Sequence, residues 1–179
     1  MDARGIFDSY FNFFAEQETT VFADYTNAAL WTLRATTALV HVGMKAFPGE
    51  VTAKGHSKLN PWNRSEYMTL DVAITDPNTW ASPLFIAEHE NSPSKERVQY
   101  DAWKLVSVEA QRRILVAYFG RGTEFKNFEA LNKAVREVCE GQPGKDILLI
   151  GGQADAVPTS VTAFREIHET MIVGVMSPS

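Results

Sequence analysis

Two apolar runs separated by one amphipathic segment constrain the fold of this chain more than any other feature. The runs are RRILVAYFG at 112–120 and KDILLIGG at 145–152. The segment between them, 123–141, has the apolar spacing of a helix and ends at a glycine. Strands that are apolar along their whole length are buried on both faces of a sheet. The pattern therefore predicts a strand-helix-strand crossover with a parallel pair of strands.

The first half of the chain has a different period. The predicted elements there are a short helix at 6–17, a long helix at 19–47, an alternating strand at 67–76, a strand at 84–91 and a helix at about 95–110, with a further short strand allowed within 51–66. In 67–76, Leu70, Val72 and Ile74 are expected on one face and Asp71 on the other. Strands this close in sequence predict an antiparallel meander. The whole chain is therefore predicted to be an α/β protein with a mixed sheet flanked by helices.

Composition narrows the class of protein. The chain has 179 residues, which fits a single domain, 1–179. A net charge of −5 does not indicate a strongly basic nucleic-acid binder, although a local basic patch remains compatible with it. Cys139 is the only cysteine, so an internal disulfide and a cysteine-based zinc cluster are both excluded. A reducing, cytoplasmic location without a signal peptide or membrane span is the expectation.

Three acidic residues fall on two neighbouring predicted strands. Asp71 lies in the first, and Glu88 and Glu90 lie at the end of the second, on the face shared by Leu84 and Ile86. If these strands form a hairpin, one register brings all three carboxylates together. Clustered like charges are unfavourable unless a cation offsets them. Mg²⁺ takes oxygen ligands of this kind, and a metal held by carboxylates activates water and stabilises a phosphate transition state.

The same residues also allow ordinary structural roles. Asp71 could be a solvated strand residue, and Glu88 and Glu90 could mark a strand end that emerges into solvent. Lys104, on the following helix, could be a plain exposed lysine. His89 points away from Glu88 if the strand is regular, which favours a packing or hydrogen-bonding role. Tyr100 and Trp103, both on that helix, are predicted to pack onto the sheet.

The acidic pattern resembles that of the PD-(D/E)XK nuclease superfamily. The restriction-endonuclease-like core of this superfamily runs helix, three-stranded antiparallel meander, helix, strand, and the resemblance covers roughly 20–120. Its signature is an acid on the second strand and acid-x-lysine on the third. Asp71 and Glu88 match the two acids. Glu90 stands at the lysine position, a variation found in some restriction endonucleases.

The resemblance implies a metal-dependent nuclease that hydrolyses DNA phosphodiester bonds. Asp71 and Glu88 would hold Mg²⁺, with Mn²⁺ as a substitute, and Glu90 would position or deprotonate the water. Lys104 is the candidate for a migrated lysine. The resemblance is also compatible with a homodimer.

Further candidate residues follow from the same resemblance. Lys95 is a weaker candidate than Lys104 for the lysine, since it stands at the helix start. Asp24 and Glu50 are the candidates for an additional acid. The alternative function is a fold that has lost catalysis and acts as a nucleic-acid- or protein-binding or regulatory module. A third possible function is a structural component of a larger assembly.

A basic loop at 54–64 precedes the alternating strand. It carries Lys54, Lys58 and Arg64 together with Trp62, and it has no acidic residue. Basic residues interleaved with an aromatic ring can contact phosphates and a base. An ordinary solvated loop explains the composition equally well, so both interpretations stay open.

Overall fold

The computed structural model of the protein describes residues 2–17, 19–53, 69–76, 82–92 and 94–174. In chain order its elements are α1 (Ala3–Ala15), a 3-10 helix (Thr19–Thr26), α2 (Ala28–Ala46), β1 (Glu50–Ala53), β2 (Val72–Thr75), β3 (Pro83–His89), α3 (Lys95–Ser107), β4 (Arg112–Phe119), α4 (Phe128–Cys139), β5 (Ile147–Gln153), α5 (Val161–Glu166) and β6 (His168–Val173). None of the helices in these ranges is long and apolar enough to cross a membrane.

The six strands form one mixed sheet in sequential order from β1 to β6. The first three strands are an antiparallel meander, β3, β4 and β5 run parallel, and β6 returns antiparallel to β5. Helix α3 connects β3 to β4, and α4 connects β4 to β5. The α/β class, the meander and the parallel crossover predicted from the apolar pattern are confirmed.

Helices cover both faces of the sheet. One core cluster joins the sheet to α1, α2 and α5, and a second joins its other face to α3 and α4. The packing of α2 is close, because a Cβ atom at Gly43 would lie 2.4 Å from Cδ1 of Ile74. A polar residue in the middle strands therefore lies beneath a helix. On the α3 side this is the position of Asp71, which lines a cavity beside that helix.

The long helix predicted at 19–47 divides at Asn27. Residues 19–26 form a 3-10 helix, and α2 begins after Asn27, whose side-chain oxygen accepts a hydrogen bond from the Leu30 N–H at 3.2 Å. Asparagine is among the preferred N-cap residues because its short side chain satisfies an unpaired N–H of the first turn. The apolar period continues through this point, which is why the sequence did not reveal the break.

The alternating strand predicted at 67–76 is shorter than expected. Strand β2 begins at Val72, and Leu70 packs with the α3 side of the core instead of the α2 side that Val72 and Ile74 share. The physical reason is Thr69, whose φ of 66° interrupts the extended backbone. The prediction that Leu70 shares a face with Val72 and Ile74 is therefore wrong.

Two aromatic residues of α3 are also placed differently from the prediction. Tyr100 and Trp103 are 50% and 54% exposed, so they do not pack onto the sheet. Helix α3 instead covers the sheet with Val98, Ala102 and Leu105. The spacing of α3 leaves both aromatic rings on its outer side.

Candidate active site at the end of β3

The register of β2 and β3 brings two of the predicted acids together. Val72 pairs with Ala87 in this antiparallel pair, so Asp71 and Glu88 lie opposite each other one step further along. Both line the same cavity beside α3. They are 4% and 1% exposed, so neither is the solvated residue that the sequence also allowed. The prediction that these strands pair antiparallel with the two carboxylates on one face is confirmed.

Glu90 reaches the same cavity from just beyond β3. Its backbone N–H donates to the carbonyl of Val116 at 2.9 Å, which continues the parallel pairing with β4. Its side-chain oxygen accepts a hydrogen bond from the backbone N–H of Ser92. Glu90 lines the cavity with Asp71 and Glu88, so all three acids border one site.

Lys104 supplies a cation to this cluster. Its Nζ atom lies 2.7 Å from Oε1 of Glu88 and 2.8 Å from Oδ1 of Asp101, and it donates to the backbone carbonyl of Thr69 at 3.3 Å. The Lys104 side chain is 11% exposed. Lys104 is therefore a half-buried ion-pair partner of the acids, and the interpretation as a plain exposed helix lysine is wrong.

Asp101 is the site residue that sequence reasoning missed. It lies three residues before Lys104 on α3, on the same side of the helix, and it is 6% exposed. The only sequence signal was this spacing, since an acid three residues from a helical lysine is common on solvated surfaces. Its significance depends on α3 lying over the ends of β2 and β3.

The electrostatics of the cluster reflect burial with incomplete neutralisation. Burial, together with the carboxylates of Asp71 and Asp101, raises the pKa of Glu88 to about 9 despite the contact with Lys104. Burial also raises the pKa of Asp101 to about 6, and Glu90 contributes in the same direction. Burial alone would lower the pKa of Lys104, but its hydrogen bonds to Asp101 and Glu88 outweigh burial and raise it.

The cavity that these residues line has a volume of about 360 Å³ and is open to solvent. Its ionisable lining is acidic overall, because four carboxylates face two cationic groups; these are Asp71, Glu88, Glu90 and Asp101 against Arg97 and Lys104. Within the described ranges, no three histidine, cysteine or acidic side chains are arranged as a ready metal cluster. Mg²⁺ does not require one, since it often binds through one or two carboxylates and keeps several waters.

His89 lies on the opposite face, as predicted. Its Nε2 atom is 2.8 Å from the Tyr118 hydroxyl, which also accepts a hydrogen bond from the indole N–H of Trp31. Burial lowers the pKa of His89, so the imidazole is neutral within this network. The backbone N–H of His89, in contrast, points toward the acidic cluster and donates to Oδ2 of Asp71 at 3.0 Å.

The remaining candidates lie elsewhere. Lys95 pairs with Glu137 at 2.7 Å and Asp24 pairs with Arg34 at 3.0 Å, and neither lines the cavity. Glu50 belongs to β1, opposite Thr75 in the register. Lys54, Lys58 and Arg64 lie outside the described residues.

Comparison with known proteins adds no family assignment. The chain matches no protein-family model, no curated protein and no solved structure.

Proposed function

We propose that this chain is a metal-dependent nuclease with a restriction-endonuclease-like core, which hydrolyses DNA phosphodiester bonds. The observation that carries the proposal is the convergence of Asp71, Glu88 and Glu90 on one cavity, with Lys104 among them. The order of α2, the β1–β3 meander, α3 and β4 supports it, because it is the element order of that core.

The donor chemistry fits a hard divalent cation. Asp71 and Glu88 are buried carboxylates that face each other across two paired strands, and oxygen ligands of this kind suit Mg²⁺ or Mn²⁺. The excess of acidic side chains in the cavity lining attracts a divalent cation. When bound, such an ion supplies an activated water and stabilises charge on a phosphate.

The protein's own groups would divide the remaining work. Glu90 lies at the cavity with its side chain held by the Ser92 N–H, and it would orient the attacking water or accept its proton. The Lys104 ammonium would stabilise negative charge on the phosphate oxygens. The His89 N–H holds the Asp71 carboxylate in position.

A specific observation favours a second candidate function. Lys104 already lies within 3 Å of Glu88 and Asp101, so part of the acidic charge is balanced by the chain itself. A protein that had lost catalysis could keep this ion pair as a structural feature. It would then act as a nucleic-acid- or protein-binding module.

Metal titration and cleavage distinguish the two candidates. We expect the parent to bind Mg²⁺ and Mn²⁺ by calorimetry, to melt at a higher temperature with metal, and to cut plasmid DNA. Asp71→Asn should lose metal binding and cleavage together. Glu90→Gln should keep metal binding and lose about 10²- to 10⁴-fold in turnover.

Glu96→Gln is the matched control, because Glu96 is an exposed acid of α3 that does not line the cavity. It should behave as the parent in all three measurements. A parent that neither cuts DNA nor gains melting temperature with metal would overturn the nuclease proposal. Binding of nucleic acid without cleavage would then support the second candidate.

A further inference from the structure

An exposed aromatic pair borders the acidic cavity. The rings of Tyr100 and Trp103 lie nearly parallel, with their planes 24° apart and their centroids separated by 5.9 Å. Each side chain is at least half exposed. The two rings leave apolar surface in water, although large aromatic side chains gain most stability when they are buried.

Tyr100 connects this pair to the site. It lines the cavity together with Glu88, and the Lys104 ammonium lies 5.4 Å from the centre of its ring. Arg97, another cavity residue, precedes Tyr100 by one turn of α3. One side of α3 thus presents two cations and two aromatic rings, continuous with the carboxylates.

We propose that Tyr100 and Trp103 form a stacking platform for an unpaired nucleobase of a strand whose phosphate lies at the acidic cavity. The inference rests on the proposed function and narrows its substrate to nucleic acid with an unstacked or single-stranded nucleotide. Every base has a π-face, so the platform binds without strong sequence preference. Arg97, which is exposed on the same side of α3 and lines the cavity, provides positive charge for an anionic backbone.

The size of the patch argues against a protein partner. Stable protein interfaces bury about 800 Å² per partner, far more than two rings provide. The other large exposed apolar side chains of the described ranges lie on α2, on β6 and at Val157, and none is on α3. The surface of α3 around the pair is instead polar, with Lys95, Glu96 and Arg97 exposed.

An abasic strand separates base stacking from phosphate binding. We would measure fluorescence anisotropy of a labelled oligothymidylate and of an abasic strand of the same length. Ca²⁺ would replace Mg²⁺, since both take oxygen ligands, and each series would be repeated without divalent ions. The parent should prefer the strand that carries bases.

Trp103→Ala should weaken binding of oligothymidylate by roughly 5- to 150-fold, the range that corresponds to the loss of one stacked base. Binding of the abasic strand should not change, and Trp103→Phe should keep most of the preference. Ile172→Ala is the matched control, because Ile172 is an equally exposed apolar residue on β6. It should leave both affinities unchanged.

Three results would overturn the platform. The first is a parent that binds neither strand. The second is a Trp103→Ala variant whose affinity falls equally for the oligothymidylate and the abasic strand. The third is a dimer in sedimentation that Trp103→Ala converts to monomers without changing the preference for the strand with bases. The last result would assign the patch to a second copy of the chain. Failure of the nuclease proposal is separate, since it is judged by metal binding and cleavage in the parent.

Discussion

Glu88 and His89 are consecutive residues of β3, and their side chains enter opposite faces of the sheet. Both are almost completely buried. Glu88 meets an open cavity where acids outnumber cations, whereas His89 joins a neutral hydrogen-bonded network with Tyr118 among aromatic residues. Burial of a polar side chain therefore does not by itself mark a functional site. The face of the sheet that carries Glu88 differs because its cavity is open and is lined by more acidic than cationic side chains.

Titration of His89 and titration of Glu88 should change the stability of the fold in opposite directions as pH rises. Burial, with a contribution from His168, lowers the pKa of His89 to about 3, from an ordinary 6.5. The unfolded chain then binds a proton that the folded chain does not, so stability is lost as pH falls below 6.5. The pKa of Glu88 is raised from 4.5 to about 9, so stability is lost as pH rises through that range.

The largest expected effect is on this pH dependence. Glu88→Gln imitates the protonated acid, so between pH 6.5 and 9 its unfolding free energy should fall less steeply than that of the parent. The difference in slope should approach about 1.4 kcal/mol per pH unit, the value for one proton. Asp101, with a pKa of about 6, contributes mainly below this window. Urea denaturation at several pH values measures the slopes, and parallel curves would contradict the assigned charge state of Glu88.

Removal of the cation should have the next largest effect. Lys104→Met leaves Glu88 and Asp101 buried without their partner, which should destabilise the fold by about 3 kcal/mol. Lys133→Met, at an exposed helical lysine of α4, is the control and should stay within about 0.5 kcal/mol of the parent. Adding Asp101→Asn to Lys104→Met should recover part of the loss in a double-mutant cycle, because Asp101 is the ionised partner of Lys104 at neutral pH. Strict additivity would mean that the two side chains do not interact.

A smaller effect is expected on the neutral side. Tyr118→Phe removes the hydroxyl that bonds both Trp31 and His89, and it should destabilise the fold by about 2 kcal/mol. Tyr10→Phe is the matched control, because the buried Tyr10 hydroxyl has no hydrogen-bond partner among the described residues. That change should be neutral or stabilising. Equal melting temperatures for the two variants would mean that the hydrogen bonds of Tyr118 do not stabilise the fold.

The periodicity of the sequence determined the sheet and its order of elements. Continuous apolar runs and an intervening amphipathic segment predict β4, α4 and β5, because only a strand covered on both faces excludes polar residues throughout. Strand alternation also placed Glu88 and His89 on opposite faces. These predictions succeed because they depend on local geometry.

The tertiary structure alone decided the charge balance of the site. Lys104 and Asp101 have the spacing of an ordinary solvated helix pair, and only the position of α3 over the ends of β2 and β3 brings them to Glu88. The outward position of Tyr100 and Trp103 was decided in the same way, by which side of α3 meets the sheet. Periodicity identifies the side chains that share a face, whereas packing between distant segments selects their partners and sets how far burial shifts their pKa values.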